Sequence, residues 1–163
     1  MRNNNEYGED INFIFSALTN DTYKRFEEYN LDSFDCGNQE INKFILNKDF
    51  LNIDNGITYG FFHEEDKALI GFAVLNCSGI TCTPDNNYVE TLPAIEISYF
   101  AIMEQYHGIQ YEKDSEDDYT FSQFLFGYIL NEISNIASTR IGARFVTLYS
   151  VPNAQNFYNL KNL

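Results

Sequence analysis

The densest hydrophobic pattern lies between residues 94 and 136, and its period changes partway. Ile95, Ile97, Tyr99, Ala101 and Met103 alternate with Glu96, Ser98, Phe100 and Ile102, so a strand here would be apolar on nearly both faces. Such a run predicts a central strand covered by helices. Glu96 is the one carboxylate in it, and a carboxylate among apolar neighbours must be protonated, paired or put to use. From residue 121 the spacing becomes helical: Phe121, Phe124, Leu125, Tyr128, Ile129, Ile133 and Ile136 share a face. Thr120 and Gln123 have the spacing of a capping box, in which the hydroxyl accepts from a free backbone N–H. A strand, a turn at Gly108 and a helix N-terminus together predict an anion site, because unsatisfied amides and the positive helix end converge there.

The rest of the chain is patterned more weakly. Residues 11–18 alternate well enough for a first strand. Asp21 is placed to cap a short helix over residues 22–28. Residues 38–50 predict a helix with Asn38 as its cap and Ile41, Phe44, Ile45 and Lys48 on one face. Residues 57–63 and 67–77 predict a hairpin across Glu64-Glu65-Asp66. Pro84, Asp85, Asn86 and Asn87 mark residues 81–92 as a loop beside a substrate cleft. Residues 144–150 predict a strand, and Phe157 and Tyr158 can anchor a short helix. No repeat, linker or low-complexity stretch divides residues 1–163, which predicts a single domain with residues 1–10 frayed.

Composition narrows the function. A length of 163 residues suffices for a sizeable core, and 44% hydrophobic with 17% aromatic content excludes a disordered chain. No apolar run reaches the roughly 20 residues of a membrane span, and the polar start lacks a signal peptide's hydrophobic core, so a cytoplasmic protein is expected. Cys36, Cys77 and Cys82 lack zinc-ligand spacing, and with two histidines besides, no metal site is expected. A net charge of −14 repels phosphate backbones, so neither nucleic acid nor an anionic membrane is favoured as a partner. A small amine or a basic protein segment suits that field as acceptor; equally, an acidic surface serves solubility alone.

Several of these residues carry a resemblance. Phe100-Ala101-Ile102 followed by Gln105-Tyr106-His107-Gly108 resembles the strand end and the start of the [RQ]-x-x-G-x-[GA] turn of the GNAT N-acetyltransferase superfamily. Glu96 to Ile102 also resembles the strand of its histone-acetyltransferase branch. Leu69-Ile70-Gly71-Phe72-Ala73-Val74 is similar to the strand before it. Phe34-x-Cys36-Gly37, with Ile41 and Phe44-Ile45, resembles the opening of many toxin-like members. Asn153, Ala154, Phe157 and Tyr158 resemble the later N-x-x-A-x-x-F-Y signature with altered spacing. The chain departs from the family at Gln110, where Gly or Ala is usual. It departs again in an insert holding Glu112, Lys113, Asp114, Glu116, Asp117 and Asp118, a local charge of −4.

The resemblance implies an α/β (α+β) fold: a mixed, mostly antiparallel central sheet flanked by helices, with the family's last strand missing. It implies acetyl transfer from acetyl-CoA to a primary amine by direct attack, with Glu96 as general base and Tyr158 as proton donor to the leaving sulfur. The coenzyme would be held by Phe100, Ala101, Ile102, Gln105, Tyr106, His107, Gly108, Thr120 and Asn153. An exposed sheet edge at residues 144–150 would invite a homodimer or a completing partner. The altered turn and acidic insert suggest an alternative, a catalytically impaired binding or dimerisation module on the same fold. A tRNA-acetylating toxin is a third reading, supported by the N-terminal motif and opposed by the charge.

Overall fold

The computed structural model describes residues 7–83, 89–113, 119–149 and 155–158. Pro84, Asp85, Asn86, Asn87, Asp114, Glu116, Asp117, Asp118 and Asn153 therefore lie outside the described residues.

One sheet organises the molecule: β1 (Phe13–Leu18), β2 (Ile57–His63), β3 (Ala68–Cys82), β4 (Glu90–Ile102) and β5 (Phe145–Leu148), side by side in chain order. The first three junctions are antiparallel, and β5 lies parallel to β4. The fold is thus mixed α/β, as the sequence implied. The loop expected over residues 81–92 is shorter, because β3 and β4 stay paired out to Cys82↔Glu90. Residues with modest strand propensity are held there by a ladder that tertiary pairing extends.

The helices pack on both faces. Helix α3 (Phe121–Ile136) buries Phe121, Leu125, Ile129 and Ile133 on one face of the sheet. Phe13, Phe15 and Phe61 meet Tyr128 on that side. The other face is covered by the N-terminal half. Phe26 stacks on Phe62 with ring centroids 4.0 Å apart. Phe34 and Phe44 pack on Phe72. Each aromatic here removes a large apolar area from water, and offset or edge contacts add about 0.5–1.5 kcal/mol per pair.

Three local expectations are corrected. The short helix α1 (Asn20–Tyr23) is capped by Thr19, through a reciprocal box with Thr22, and not by Asp21. Helix α2 (Gln39–Leu46) is capped by Asn38 as expected, but it ends four residues early. Lys48 turns left-handed at φ 59° and leaves the helical face, after which Phe50 is buried by a separate turn over Asp49–Leu51. The third correction is in β4. A bulge separates the pairs Leu75↔Ile97 and Val74↔Tyr99, so Ser98 is an extra residue. Bulges break strict alternation. Tyr99 consequently packs on Phe44 of α2, while Phe100 packs on Phe126 of α3. Glu96 and Phe100, expected on one face, lie on opposite ones.

Candidate active site

The site forms where β4 outlives its partner. Among the described residues the β4–β5 ladder ends at Ile97↔Leu148, and Tyr149 is no longer strand. Past that point no described residue pairs with the outer edge of β4 from Ser98 to Ile102. A groove of about 480 Å³ begins there. Phe100, Ala101 and Ile102 of β4 form its floor, with His107 and Gly108 of the following turn. Thr120, Ser122 and Gln123 come from the start of α3, and Cys36, Asn38 and Ile41 from the start of α2. Phe157 and Tyr158, on helix α4 (Gln155–Tyr158), close it.

The motif Phe34-x-Cys36-Gly37 explains why α2 begins at the groove. Phe34 is buried against Phe72. The Asp35 carboxylate accepts from the Gly37 amide at 2.9 Å and from Asn42 Nδ2 at 2.7 Å. Those bonds, the Gly37 amide foremost, hold its carboxyl below the usual carboxylate range. Asn42 Oδ1 accepts from the Cys36 amide at 3.0 Å and from its thiol at 3.2 Å. Burial pushes the Cys36 thiol up, so it stays protonated at neutral pH. Gly37 has φ +80°, and a Cβ there would stand 2.5 Å from Glu104 Oε1.

The turn after β4 is built differently from a plain glycine loop. Gly108 takes φ +71°. The His107 ring Nε2 lies 2.7 Å from the Ile102 carbonyl, which can only accept, so Nε2 carries the proton. Beyond Gly108 the chain forms a narrow ribbon: Phe121 donates to Ile109 O at 2.8 Å and Tyr111 donates to Tyr119 O at 2.9 Å. Gln110 bridges Thr120 within it. Gly8 and Glu9 donate to Gln110 O and Tyr111 O, binding the N-terminal segment to the same ribbon. The base of the insert is therefore clamped beside the groove by backbone hydrogen bonds.

Those bonds also decide which amides remain for a ligand. The Thr120 amide donates to Gln123 Oε1 at 2.8 Å, and the Gln123 amide to Thr120 Oγ1 at 3.3 Å, completing the expected capping box. With the Phe121 amide also used, Gly108 and Ser122 are the groove residues here whose amides have no protein partner among the described residues. An anion at this helix start would meet those two donors and the positive end of the helix.

A second cavity of about 400 Å³ opens on the α2 face of β4, lined by Glu96, Ser98, Tyr99, Asn76, Asn55, Asp49, Phe44 and Tyr149. Glu96 is half-buried and accepts from Ser98 Oγ at 2.9 Å, with Ser78 Oγ at 3.5 Å from its other oxygen. Of the residues singled out from sequence, then, Phe100, Ala101, Ile102, His107, Gly108, Thr120 and Tyr158 meet in the groove. Glu96 faces the second cavity instead. Tyr106 is fully buried, its ring beside Phe121 and His63, and lines neither. Gln105 is exposed and also lines neither. The turn Glu104–Tyr106 aims Tyr106 inward as a core anchor and Gln105 at solvent. Cys36, Asn38, Ile41, Ser122 and Gln123 were not anticipated as lining residues. The cysteine motif and the capping box were the available signals, read for local structure and not for what they face.

Tyr158 is half-buried with its ring against Phe126 and Phe157, and burial raises its phenol above the ordinary value. It is a neutral hydrogen-bond donor at physiological pH. Among the described residues no group of three His, Cys, Asp or Glu is placed to hold a metal ion, and no helix is long and apolar enough to cross a membrane.

No protein-family model and no curated protein matches the sequence. Solved structures do match in shape. AtaT complexed with acetyl-methionyl-tRNAfMet superposes with a TM-score of 0.67 at 17% identity, covering 90% of this chain and 84% of that one. The Tyr-to-Phe mutant of the AtaT toxin, bound to acetyl-CoA and the C-terminus of the antitoxin AtaR, gives 0.65 at 17% identity over 90% and 81%. The AtaT–AtaR complex bound to DNA gives 0.58 at 17% identity over 89% and 80%. These correct one expectation. Proteins of this shape occur with tRNA and in assemblies on DNA, so a net charge of −14 does not disfavour nucleic acid as a partner. Bulk charge sets the far field, whereas a local surface decides contact. With the parallel fifth strand, the opened edge of β4 and the turn-to-helix groove, the chain carries the fold of the GNAT acetyltransferase superfamily, in a form similar to the AtaT toxin.

Proposed function

We propose that the protein is an acetyl-CoA-dependent acetyltransferase that moves the acetyl group onto a primary amine by direct attack. The observation that carries this is the break in the β4–β5 ladder after Ile97, with the Tyr158 groove on one side and the Glu96 cavity on the other. The groove suits the coenzyme. Its apolar residues Phe100, Ala101 and Phe157 would flank the pantetheine arm, and the amides of Gly108 and Ser122 would meet the diphosphate.

The amine would enter from the Glu96 side. Ammonium is the dominant form of an amine at neutral pH, and it must lose a proton before the nitrogen can attack. Glu96 takes that proton, directly or through one water. A C–N bond forms and the carbonyl electrons move onto oxygen, where a free amide at the open edge between Phe100 and Ile102 stabilises the charge. Collapse breaks the C–S bond, and the nitrogen's second proton passes to the departing sulfur through solvent, leaving a neutral amide and the free thiol. The Tyr158 phenol then donates a hydrogen bond to the departing sulfur. It is a weaker acid than a thiol, which is near 8.5, so it stabilises the thiolate chiefly as a donor and not by permanent loss of its proton.

Glu96→Gln and Tyr158→Phe should each lower kcat by about 10²-fold while leaving coenzyme affinity unchanged. Full activity in both would remove the mechanism. The acceptor amine can sit on a small molecule or on an aminoacyl-tRNA, as in the AtaT complex. Parallel assays with methionine amide and methionyl-tRNA separate the two. A binding module without catalysis is favoured by one feature, the amides of Thr120, Phe121 and Gln123 already being engaged. Coenzyme binding without turnover on either acceptor would support that alternative.

A further inference from the structure

We propose that Ser98 and Asn76 form a hydrogen-bond relay that positions Glu96 for proton abstraction, resting on the reading of Glu96 as the general base. The relay begins with the bulge. Ser98 is the residue that the β3 strand leaves unmatched between Ile97 and Tyr99. Glu96, Ser98 and Tyr99 all line one cavity, which simple alternation forbids to the neighbours Ser98 and Tyr99. Alternation sets Ser98 on the Glu96 side, with Ser98 Oγ 2.9 Å from Glu96 Oε1, and the bulge turns Tyr99 to that side as well.

Direction along the chain of bonds is fixed by its ends. Asn76 Nδ2 lies 2.8 Å from Ser98 Oγ and 3.3 Å from the Asn55 carbonyl. A carbonyl only accepts, so the atom facing it is the amide nitrogen and not Oδ1. That nitrogen only donates, so Ser98 must accept from Asn76 and spend its single proton on Glu96. The far end is anchored as well: Asn55 Nδ2 donates to the Asp49 carbonyl at 2.9 Å, tying the relay to the turn after α2. Ser78, at 3.5 Å, is at the limit of a hydrogen bond and constrains Oε2 little. Oε1 is therefore held and Oε2 is left to take a proton from an amine in the cavity. A base fixed in this way meets its substrate without first reorganising.

The test is a double-mutant cycle with acetyl-CoA and methionine amide as probe substrates. Ser98→Ala should lower kcat by about 10- to 100-fold with KM for acetyl-CoA unchanged, and Ser98→Thr should restore most of it. On a Glu96→Gln background, Ser98→Ala should cost nothing more. Equal losses in both backgrounds, or full activity of Ser98→Ala, would overturn the relay while leaving Glu96 as base. Wild-type activity in Glu96→Gln would remove the base and the relay together. Independently of turnover, the ¹³C resonance of the Glu96 side-chain carboxyl should move in Ser98→Ala and hold its position in Ser98→Thr. A resonance unmoved by Ser98→Ala overturns the proposal.

Discussion

Gly37 shows how a single residue ties motif to site. Its φ of +80° is costly for any side chain, and a Cβ would strike the Glu104 carboxylate. Gly37→Ala should destabilise the protein by about 1–3 kcal/mol in urea unfolding and loosen the Cys36 side of the groove. Tyr158 gives a pH prediction. Its folded value is raised by burial, so its contribution to stability is complete below the unfolded value of about 10 and is lost as pH rises through the folded value. The fall in Tm above about pH 10 should be shallower in Tyr158→Phe. It should not vanish, because burial also raises Tyr59. Glu96 stood out in the sequence because a lone carboxylate in an apolar run is costly. Its cavity was not legible, because the bulge at Ser98 depends on how β3 pairs, which local alternation does not reveal.

At the scale of elements, the start of α3 was the clearest signal. Thr120 and Gln123 cap it reciprocally, as their spacing requires. Thr120→Ala should lower stability by about 1 kcal/mol and widen the end of the groove, measured as a drop in Tm and, on the proposed function, a weaker acetyl-CoA affinity. Phe121→Ala should cost about 3–5 kcal/mol, since that ring is fully buried against Phe13 and Tyr106. Elsewhere the boundaries followed tertiary structure. Thr19 outcompeted Asp21 as a cap because its box with Thr22 satisfies two groups at once. Helix α2 stopped at Leu46 because burying Phe50 required a left-handed step at Lys48. Tyr106 was placed in the coenzyme site by likeness to a motif, whereas its large ring serves the core beneath the turn.

For the whole molecule, the mixed, mostly antiparallel sheet followed from patterning and family likeness together. The exposed stretch of β4 followed only from the ladder, which among the described residues stops at Leu148. Net charge misled, because it averages over a surface on which partners meet one patch at a time. What the fold supplies is a groove bounded by β4, the Gly108 turn and the α3 N-terminus, and the central claim is that acetyl-CoA occupies it. Calorimetric titration of the protein with acetyl-CoA tests this most directly. One coenzyme should bind per chain, with affinity reduced at least about tenfold, or about 1.4 kcal/mol, by Gly108→Val. No heat and no thermal shift at millimolar acetyl-CoA, or equal binding by Gly108→Val, would contradict it.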